Sequence, residues 1–368
     1  MTQITRAGEN YAAFDTTTGR PGDGEAPDGP PPGAQLIQLT SAGYVAQAIS
    51  VAARLGVPDA FRDAPSSSAD LARAVGAHAP TLYRLLRALA DYGIVAETER
   101  DRFLLTPMGS LLRSDVPGSM RGWAVMIGMP FHRAAWTGLY DAVRTGEPAF
   151  ARVHGVDLFG YLAGDPEDAA VFDAAMESVS SNFLVSVLDA YDVARFRTIV
   201  DVGGGTGTFL AAALSASPHS RAILFDTPQV LRGAPPVLEA AGVADRCELV
   251  PGDFFVSVPS GGDLYVLSNI IHDWDDEAAV RILRRCRAAM TASSRLLLVE
   301  LVLPDDLAPS PAKLYDLEML ALTPNGRHRT GDEYRALAEK ADLKVTNVAP
   351  ASLGSPASFV EAEPAGTS

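Results

Sequence analysis

The chain has 368 residues, 47% of them apolar, and a formal net charge of −15 at pH 7. This length predicts two domains, and the acidic balance argues against a nucleic-acid backbone as the main partner. No apolar run reaches about 18 residues and no apolar segment lies near Met1, so we expect neither a membrane partner nor a secretory signal. The isolated Cys247 and Cys286 predict a reduced, cytoplasmic enzyme with neither a disulfide framework nor a metal site.

The two ends of the chain are predicted to be tails. Gly, Pro, Thr and Asp dominate the segment before residue 34, so we expect residues 1–33 to form a disordered tail. Such a composition buries too little apolar surface to offset the entropy lost on ordering. Residues 364–368 have a similar composition and predict a second, short tail.

Residues 34–117 have the pattern of a mainly helical winged-helix domain. Residues 66–71 match a capped helix start. The next helix carries four leucines on one face, at i, i+3, i+4 and i+7: Leu82, Leu85, Leu86 and Leu89. Residues 94–97 and 102–106 predict a β-hairpin, the wing. A DNA-binding regulator is the distant alternative, but no basic stripe accompanies the two arginines of that helix.

Residues 118–190 are rich in aromatic residues and methionines and predict a mostly helical connector. Any one of these side chains is more often part of a core than of a ligand site. A flat apolar acceptor, however, requires a wall of this kind. We therefore predict six substrate-binding residues here: Trp123, Met126, Phe131, Trp136, Phe172 and Met176.

Strand and helix patterns alternate over residues 191–363, which predicts a Rossmann-like, doubly wound α/β domain. The parallel strands are expected at Thr198–Val202, 222–226, 247–250, 264–271 and 295–303. Residues 343–348 and 358–363 are expected to pair antiparallel and close the sheet edge. Cys286 is expected on the core face of the helix after the fourth strand, with arginines on the opposite, solvated face.

A glycine-rich turn follows the first of these strands and carries Gly203, Gly205 and Gly207. Glycines let the backbone approach a nucleotide-like ligand closely and adopt positive φ, and the next helix directs its N-terminal amides at that ligand. Position 208 is threonine, so the third glycine of the dinucleotide fingerprint is missing. A tight turn without a ligand is the alternative. Asp226, about 20 residues further on, is positioned to accept hydrogen bonds from ribose hydroxyls.

Three motifs in this order resemble the class I S-adenosylmethionine (SAM) dependent small-molecule O-methyltransferases. They are Asp-Val-Gly-Gly-Gly-Thr-Gly at 201–207, Gly-Asp-Phe-Phe at 252–255 and Ile-Ile-His-Asp-Trp at 270–274. The resemblance spans roughly residues 36–363 and is strongest to plant caffeic-acid-type and bacterial antibiotic-biosynthesis enzymes. It implies a seven-stranded SAM-methyltransferase domain, homodimerisation through the winged-helix domain, and S-adenosylhomocysteine as a product.

The resemblance also implies a set of cofactor contacts. The glycine turn passes the amino-acid and ribose portions of SAM, and Asp253 accepts from the adenine amino group while Phe254 packs on the ring. Asp201 orders the loop or meets the SAM ammonium, and Trp274 either covers the adenine edge or belongs to the core. The predicted cofactor-binding residues are Asp201, Gly203, Gly205, Gly207, Asp226, Gly252, Asp253, Phe254 and Ser268.

His272 is the candidate general base, because it follows the fourth strand, where α/β sheets place their ligands. A helix-capping role is the alternative, and the resemblance favours the base. It also implies that Glu300 orients His272, although a solvated strand-end carboxylate is possible. The family motif Gly-Gly-Lys-Glu-Arg-Thr here reads Asn-Gly-Arg-His-Arg-Thr, so His328 replaces a glutamate. His328 is expected to bind the acceptor or to act as a second base. Asn269 and Met319 complete the predicted substrate-binding set.

The sequence thus predicts an O-methyltransferase that methylates a phenol or polyketide-like hydroxyl of a specialised metabolite. The change at His328 keeps an alternative open, in which the same fold and cofactor serve decarboxylation, hydroxylation or a pericyclic reaction. A nitrogen or carbon acceptor is also left open.

Overall fold

The computed structural model describes residues 30–351 and 357–366, with the backbone alone at residues 184 and 185. Residues 1–29 of the predicted tail therefore lie outside the described residues. The first helix begins at Pro32, so the last two residues of that tail are helical instead. Proline suits this position because its fixed φ matches the helix and its missing N–H would have no partner there.

Sixteen α-helices are present in the described part of the chain. They are α1 (Pro32–Leu55), α2 (Val57–Ala60), α3 (Ser68–Val75), α4 (Ala79–Asp91), α5 (Pro107–Ser110), α6 (Arg121–Ile127), α7 (Pro130–Thr137), α8 (Leu139–Thr145), α9 (Ala149–His154), α10 (Leu158–Gly164), α11 (Pro166–Ala190), α12 (Thr208–Ala216), α13 (Ala234–Ala240), α14 (Asp276–Ala289), α15 (Ala312–Leu322) and α16 (Gly331–Lys340).

The strands of the same residues form one large sheet and two small ones. They are β1 (Val95–Glu99), β2 (Arg102–Leu105), β3 (Thr198–Val202), β4 (Arg221–Asp226), β5 (Cys247–Pro251), β6 (Leu264–Ser268), β7 (Arg295–Glu300), β8 (Val302–Leu303), β9 (Arg329–Thr330), β10 (Leu343–Pro350) and β11 (Ser358–Pro364).

The N-terminal domain has the predicted order of helices followed by a hairpin. The Ser67 side chain caps α3 by accepting from the Asp70 amide, and Leu82, Leu86 and Leu89 are the buried face of α4. The wing forms from β1 and β2, which pair antiparallel. The mainly helical winged-helix prediction is confirmed.

The seven-stranded sheet has the order β10-β11-β7-β6-β3-β4-β5. The five strands from β7 to β5 in this order run parallel, whereas β11 is antiparallel to both β7 and β10. The predicted doubly wound fold and its antiparallel closing pair are therefore confirmed. The strand order reverses between β3 and β6, and ligands of such sheets bind outside the carboxyl ends of the strands at this point.

Two predicted strands are shorter in the structure. β6 stops at Ser268 because Asn269 takes a positive φ of 56°, and Ile271–Asp273 then forms a turn of 3₁₀ helix. The strand predicted at 295–303 divides into β7 and β8, and β8 pairs with β9 outside the main sheet. These breaks turn the chain out of the sheet at the edge where the glycine turn also lies.

Helix α14 packs on one face of the sheet through its apolar side, as predicted. Cys286 is wholly buried in the apolar core. The arginines on the other side are not simply solvated, because Arg284 donates to the Lys340 carbonyl and Arg287 to the Asp342 carbonyl. These bonds attach α14 to the end of α16 and to the residues just after it.

Two helices, α1 and α11, are long and apolar enough to cross a membrane by length and composition alone. Core helices of soluble proteins share this length and composition. Ser50, Ala52 and Ala53 of α1 are buried in the protein. The expectation that no membrane is a partner stays a prediction.

Candidate active site

A cavity of about 640 Å³ lies where the connector helices meet the carboxyl edge of the sheet. Its walls are mostly apolar and come from α6, α10, α11 and α15. The floor consists of Gly203 and of five residues at and after the end of β6: Ser268, Asn269, Ile270, His272 and Asp273. A cavity of this size and lining suits an aromatic ligand.

Six of the eight predicted substrate-binding residues border this cavity: Trp123, Met126, Phe172, Met176, Asn269 and Met319. The predictions for Phe131 and Trp136 are wrong. Phe131 is buried in the core of the connector, at 2% exposure. Trp136 lies behind the cavity wall and donates its indole N–H to Glu318. Both side chains are on α7, which turns them away from the cavity.

The glycine turn has the open backbone that a close ligand needs. Gly203, Gly205 and Gly207 all have positive φ values, of 73°, 61° and 82°. A Cβ added at Gly203 would lie 2.7 Å from Cδ1 of Ile270. Gly203 also borders the cavity, so a side chain there would occupy space at the ligand-facing edge.

The predicted acidic contacts lie at the ends of neighbouring strands. Asp226 ends β4 and accepts from the Gly205 amide at 2.9 Å, which attaches the glycine turn to β4. Asp253 follows β5, is exposed, and accepts from the Phe255 amide at 2.8 Å. With Ser268 at the end of β6, these residues follow one edge of the sheet beside the glycine turn.

Gly252 and Phe254 pack tightly in the same loop. A Cβ at Gly252 would lie 2.3 Å from the Phe225 ring, so no larger residue fits there. The Phe254 ring is partly buried and contacts the Trp274 ring edge-on, at 6.1 Å between centroids. Trp274 is therefore packed against the core, one of its two predicted roles.

Asp201 lies beneath the glycine turn and not on the cavity surface. Its side chain is wholly buried, and neither carboxylate oxygen has a hydrogen-bond partner among the described residues. Burial and the neighbouring charge of Asp226 raise the pKa of Asp201 to about 7. Both of its predicted roles stay predictions.

His272 and Glu300 form a hydrogen-bonded pair at the cavity floor. Nδ1 of His272 lies 2.6 Å from Oε2 of Glu300, and the other oxygen of Glu300 accepts from the Ile271 amide at 2.8 Å. Since the carboxylate only accepts, Nδ1 carries the proton and Nε2 is free as an acceptor. Glu300 is wholly buried, so the alternative of a solvated strand-end carboxylate is wrong.

The charges around His272 favour its protonated form. Burial lowers the pKa of the ring, but attraction by Glu300 and Asp273 outweighs burial and raises the pKa to about 9. Oδ1 of Asp273 lies 3.6 Å from Nε2. The floor of the cavity therefore has a strong proton acceptor with two carboxylates beside it.

His328 borders the cavity next to His272, with 5.1 Å between the ring centroids. Burial and the nearby His272 lower the pKa of His328 to about 4. The ring is therefore neutral at neutral pH, and such a weak base is a poor proton acceptor. Binding of the acceptor fits this environment better than the second-base role.

The same three residues are close enough for a metal ion to be considered. One ligand atom each from His272, Glu300 and His328 lies within 4.8 Å of the others. Two histidines and a carboxylate are usual metal ligands, but Glu300 already uses both oxygens in hydrogen bonds. That no metal binds here stays a prediction.

Arg329 positions the segment that carries His272, and the sequence analysis missed it. The guanidinium is wholly buried and donates to the carbonyls of Ile271 and Trp274, at 3.0 and 2.7 Å, and to Asp276 at 2.9 Å. Its only signal in the sequence is the Arg-Thr retained from the family motif.

Glycines at the point where the strand order reverses, together with an oriented histidine on an apolar cavity, are typical of a SAM-binding transferase with a doubly wound fold. The family model of the O-methyltransferase domain matches residues 136–344, and that of the O-methyltransferase dimerisation domain matches residues 37–115. The chain belongs to this O-methyltransferase family and is a SAM-dependent enzyme. The fold and cofactor predictions are confirmed.

Relatives and solved structures are similar to this protein over most of its chain. A phenazine O-methyltransferase of Lysobacter antibioticus is 44% identical over 329 residues, 89% of this chain and 95% of the relative. An 8-amino-8-demethylriboflavin N,N-dimethyltransferase of Streptomyces davaonensis is 39% identical over 83% of this chain and 89% of its own. The structure of a calicheamicin-biosynthesis methyltransferase with bound S-adenosylhomocysteine has a TM-score of 0.81, at 35% identity, and covers 90% of this chain and 98% of that one.

Proposed function

We propose that this enzyme methylates a hydroxyl of an aromatic or polyketide-like specialised metabolite, with His272 as the general base. The observation that carries this proposal is the His272–Glu300 pair on the floor of an apolar cavity, with Nε2 free and Gly203 beside it. Bound SAM supplies an electrophilic methyl group on a sulfonium.

The residues of the chain would act on the proton of the acceptor. Glu300 holds His272 in the tautomer whose Nε2 accepts that proton, and Glu300 and Asp273 then stabilise the imidazolium. A phenol titrates near pH 10, as the tyrosine side chain does. Because His272 has a pKa of about 9, the two groups are well matched for proton transfer.

We propose oxygen rather than nitrogen as the methylated atom. The relatives include a riboflavin-type N,N-dimethyltransferase beside the phenazine O-methyltransferase, so the family accommodates both. A neutral amine already offers a lone pair and needs no base, whereas a hydroxyl gains nucleophilicity when its proton is removed. The oriented His272 therefore supports a hydroxyl acceptor.

For the cofactor we propose that the glycine turn, Asp226 and Asp253 hold the adenosyl portion and that Ser268 lies near the methionyl portion. Their common position along the sheet edge supports this. We also propose a homodimer, a cytoplasmic location, and no nucleic-acid partner. The acidic balance of the chain supports the last of these.

The proposal is tested with His272→Ala, using labelled SAM and a panel of phenols, naphthols and hydroxyphenazines. Without the base, kcat should fall by about 10²-fold or more, while S-adenosylhomocysteine binding measured by calorimetry stays unchanged. His219→Ala, at an exposed histidine outside the cavity, is the matched control. Full turnover of the His272 variant at saturating acceptor would contradict the base role. A product formed without label would contradict methyl transfer.

A further inference from the structure

A further polar group borders the cavity, on helix α15. Glu318 projects from α15, is 6% exposed, and lies on the cavity surface. Oε1 of Glu318 lies 2.7 Å from Nε2 of His132, and Oε2 accepts from the Trp136 indole. Two side chains of α7 thus fix the position of this carboxylate by hydrogen bonds.

The two partners of Glu318 are an imidazole and an indole. The indole is a neutral donor. The Nδ1 atom of His132 is buried without a hydrogen-bond partner among the described residues, so His132 makes its one side-chain hydrogen bond to Glu318. Within the described part of the chain, no lysine or arginine pairs with Glu318.

Aromatic rings lie beside this carboxylate. Tyr315 is one turn earlier on α15, and Trp123 lies against it with 6.0 Å between ring centroids. Both rings border the cavity. Burial, and then the negative charge of Glu318, raise the pKa of the Tyr315 hydroxyl. Aromatic rings and a carboxylate together attract a cation.

We propose that Glu318, with Tyr315 and Trp123, forms a specificity subsite that binds a protonated amino group of the acceptor. An ionised carboxylate has about four acceptor positions, and the two bonds from α7 leave others free toward the cavity. A residue that only attached α15 to α7 would need no surface on the cavity. This inference rests on the proposed function only in placing the acceptor in this cavity.

The test compares pairs of ligands that differ by one amine. Suitable pairs are tyramine with 4-ethylphenol, and 5-(aminomethyl)-1-naphthol with 5-methyl-1-naphthol. Binding is measured by calorimetry on the full chain, with and without S-adenosylhomocysteine. Because a hydrogen bond to a charged group is strong, at least one amine should bind about tenfold more tightly than its partner.

Glu318→Gln keeps the shape and removes the charge, so this preference should disappear. Glu318→Leu should reverse it, since a buried ammonium would then have no partner. Glu339→Gln removes an equal charge at an exposed position of α16 and should keep the preference. Circular dichroism of each variant checks the fold.

Two results would overturn the subsite: no amine binds more tightly than its partner, or the preference survives in Glu318→Gln. Failure of the proposed function is a separate observation, because the binding measurements need no methyl transfer. It would be seen as missing label transfer or as an unaffected His272→Ala variant.

Discussion

Burial and the neighbouring carboxylates shift the pKa of His272 in opposite directions. Burial favours the neutral ring, whereas Glu300 and Asp273 favour the charged one and raise the pKa to about 9. A general base acts only in its deprotonated form, and the deprotonated fraction increases as pH rises through the pKa. At neutral pH most of the enzyme would therefore carry the inactive, protonated ring, and activity should increase toward alkaline pH.

Replacing Glu300 with glutamine should move this pH dependence. Without the carboxylate charge the pKa of His272 falls, so the rising limb of kcat should shift to lower pH. The maximum should also decrease, because the tautomer is no longer held. Profiles of kcat from about pH 6 to 10 measure both effects. Glu339→Gln is the charge-matched control, and an unmoved or higher midpoint in the Glu300 variant would refute the pairing.

At the scale of the element, the unit from β3 through the glycine turn to α12 combines backbone conformation with tight packing. Gly203 and Gly205 need their positive φ, whereas Gly204 is constrained by space. A Cβ at Gly204 would lie 2.5 Å from the Asp201 carboxylate and 2.5 Å from Cδ1 of Leu224. Both neighbours are wholly buried and have little room to move.

Gly204→Ala should therefore lower the free energy of unfolding by about 1–3 kcal/mol, the usual cost of overpacking. Urea denaturation measures this change. Gly164→Ala is the control, because nothing lies within 4 Å of a Cβ there and alanine suits a helix. Equal stability of Gly204→Ala and the unchanged protein would show that the turn has more space than this packing implies.

At the scale of the whole molecule, α1 leaves an apolar face uncovered. Leu36, Ile37, Leu39 and Tyr44 are 62%, 68%, 68% and 78% exposed in the single chain. The dimerisation-domain match begins at residue 37. An exposed apolar face of this kind is typical of an association surface, which supports the proposed homodimer.

Charges on this face should separate the subunits. The double variant Ile37→Glu/Tyr44→Glu should have the mass of one 38.8 kDa chain, because a buried unpaired carboxylate is costly. Light scattering after size-exclusion chromatography measures the mass. Leu307→Glu changes an equally apolar residue that is 96% exposed and should leave the dimer intact. If the double variant still had the mass of a dimer, the interface would lie elsewhere.

Some of the site was predictable because it depends on local backbone chemistry. Gly203 is predictable because its turn favours glycine. Asp226 is predictable because it ends the next strand, about 20 residues after the glycines. Phe131 and Met126 show the limit of this reasoning, since both are apolar residues of short neighbouring helices. Both lie in the same core cluster, and only the packing of those helices gives Met126 an edge on the cavity that Phe131 lacks.

The sequence by itself determined the alternating strands, the glycine turn and the place of His272 after the fourth strand, because each depends on the residues next to it. The tertiary structure decided which distant side chains meet. Glu318 and His132 are 186 residues apart, and no local pattern marks either as a partner of the other. A carboxylate can become a recognition group only when packing brings it to the surface of a cavity and withdraws it from bulk water.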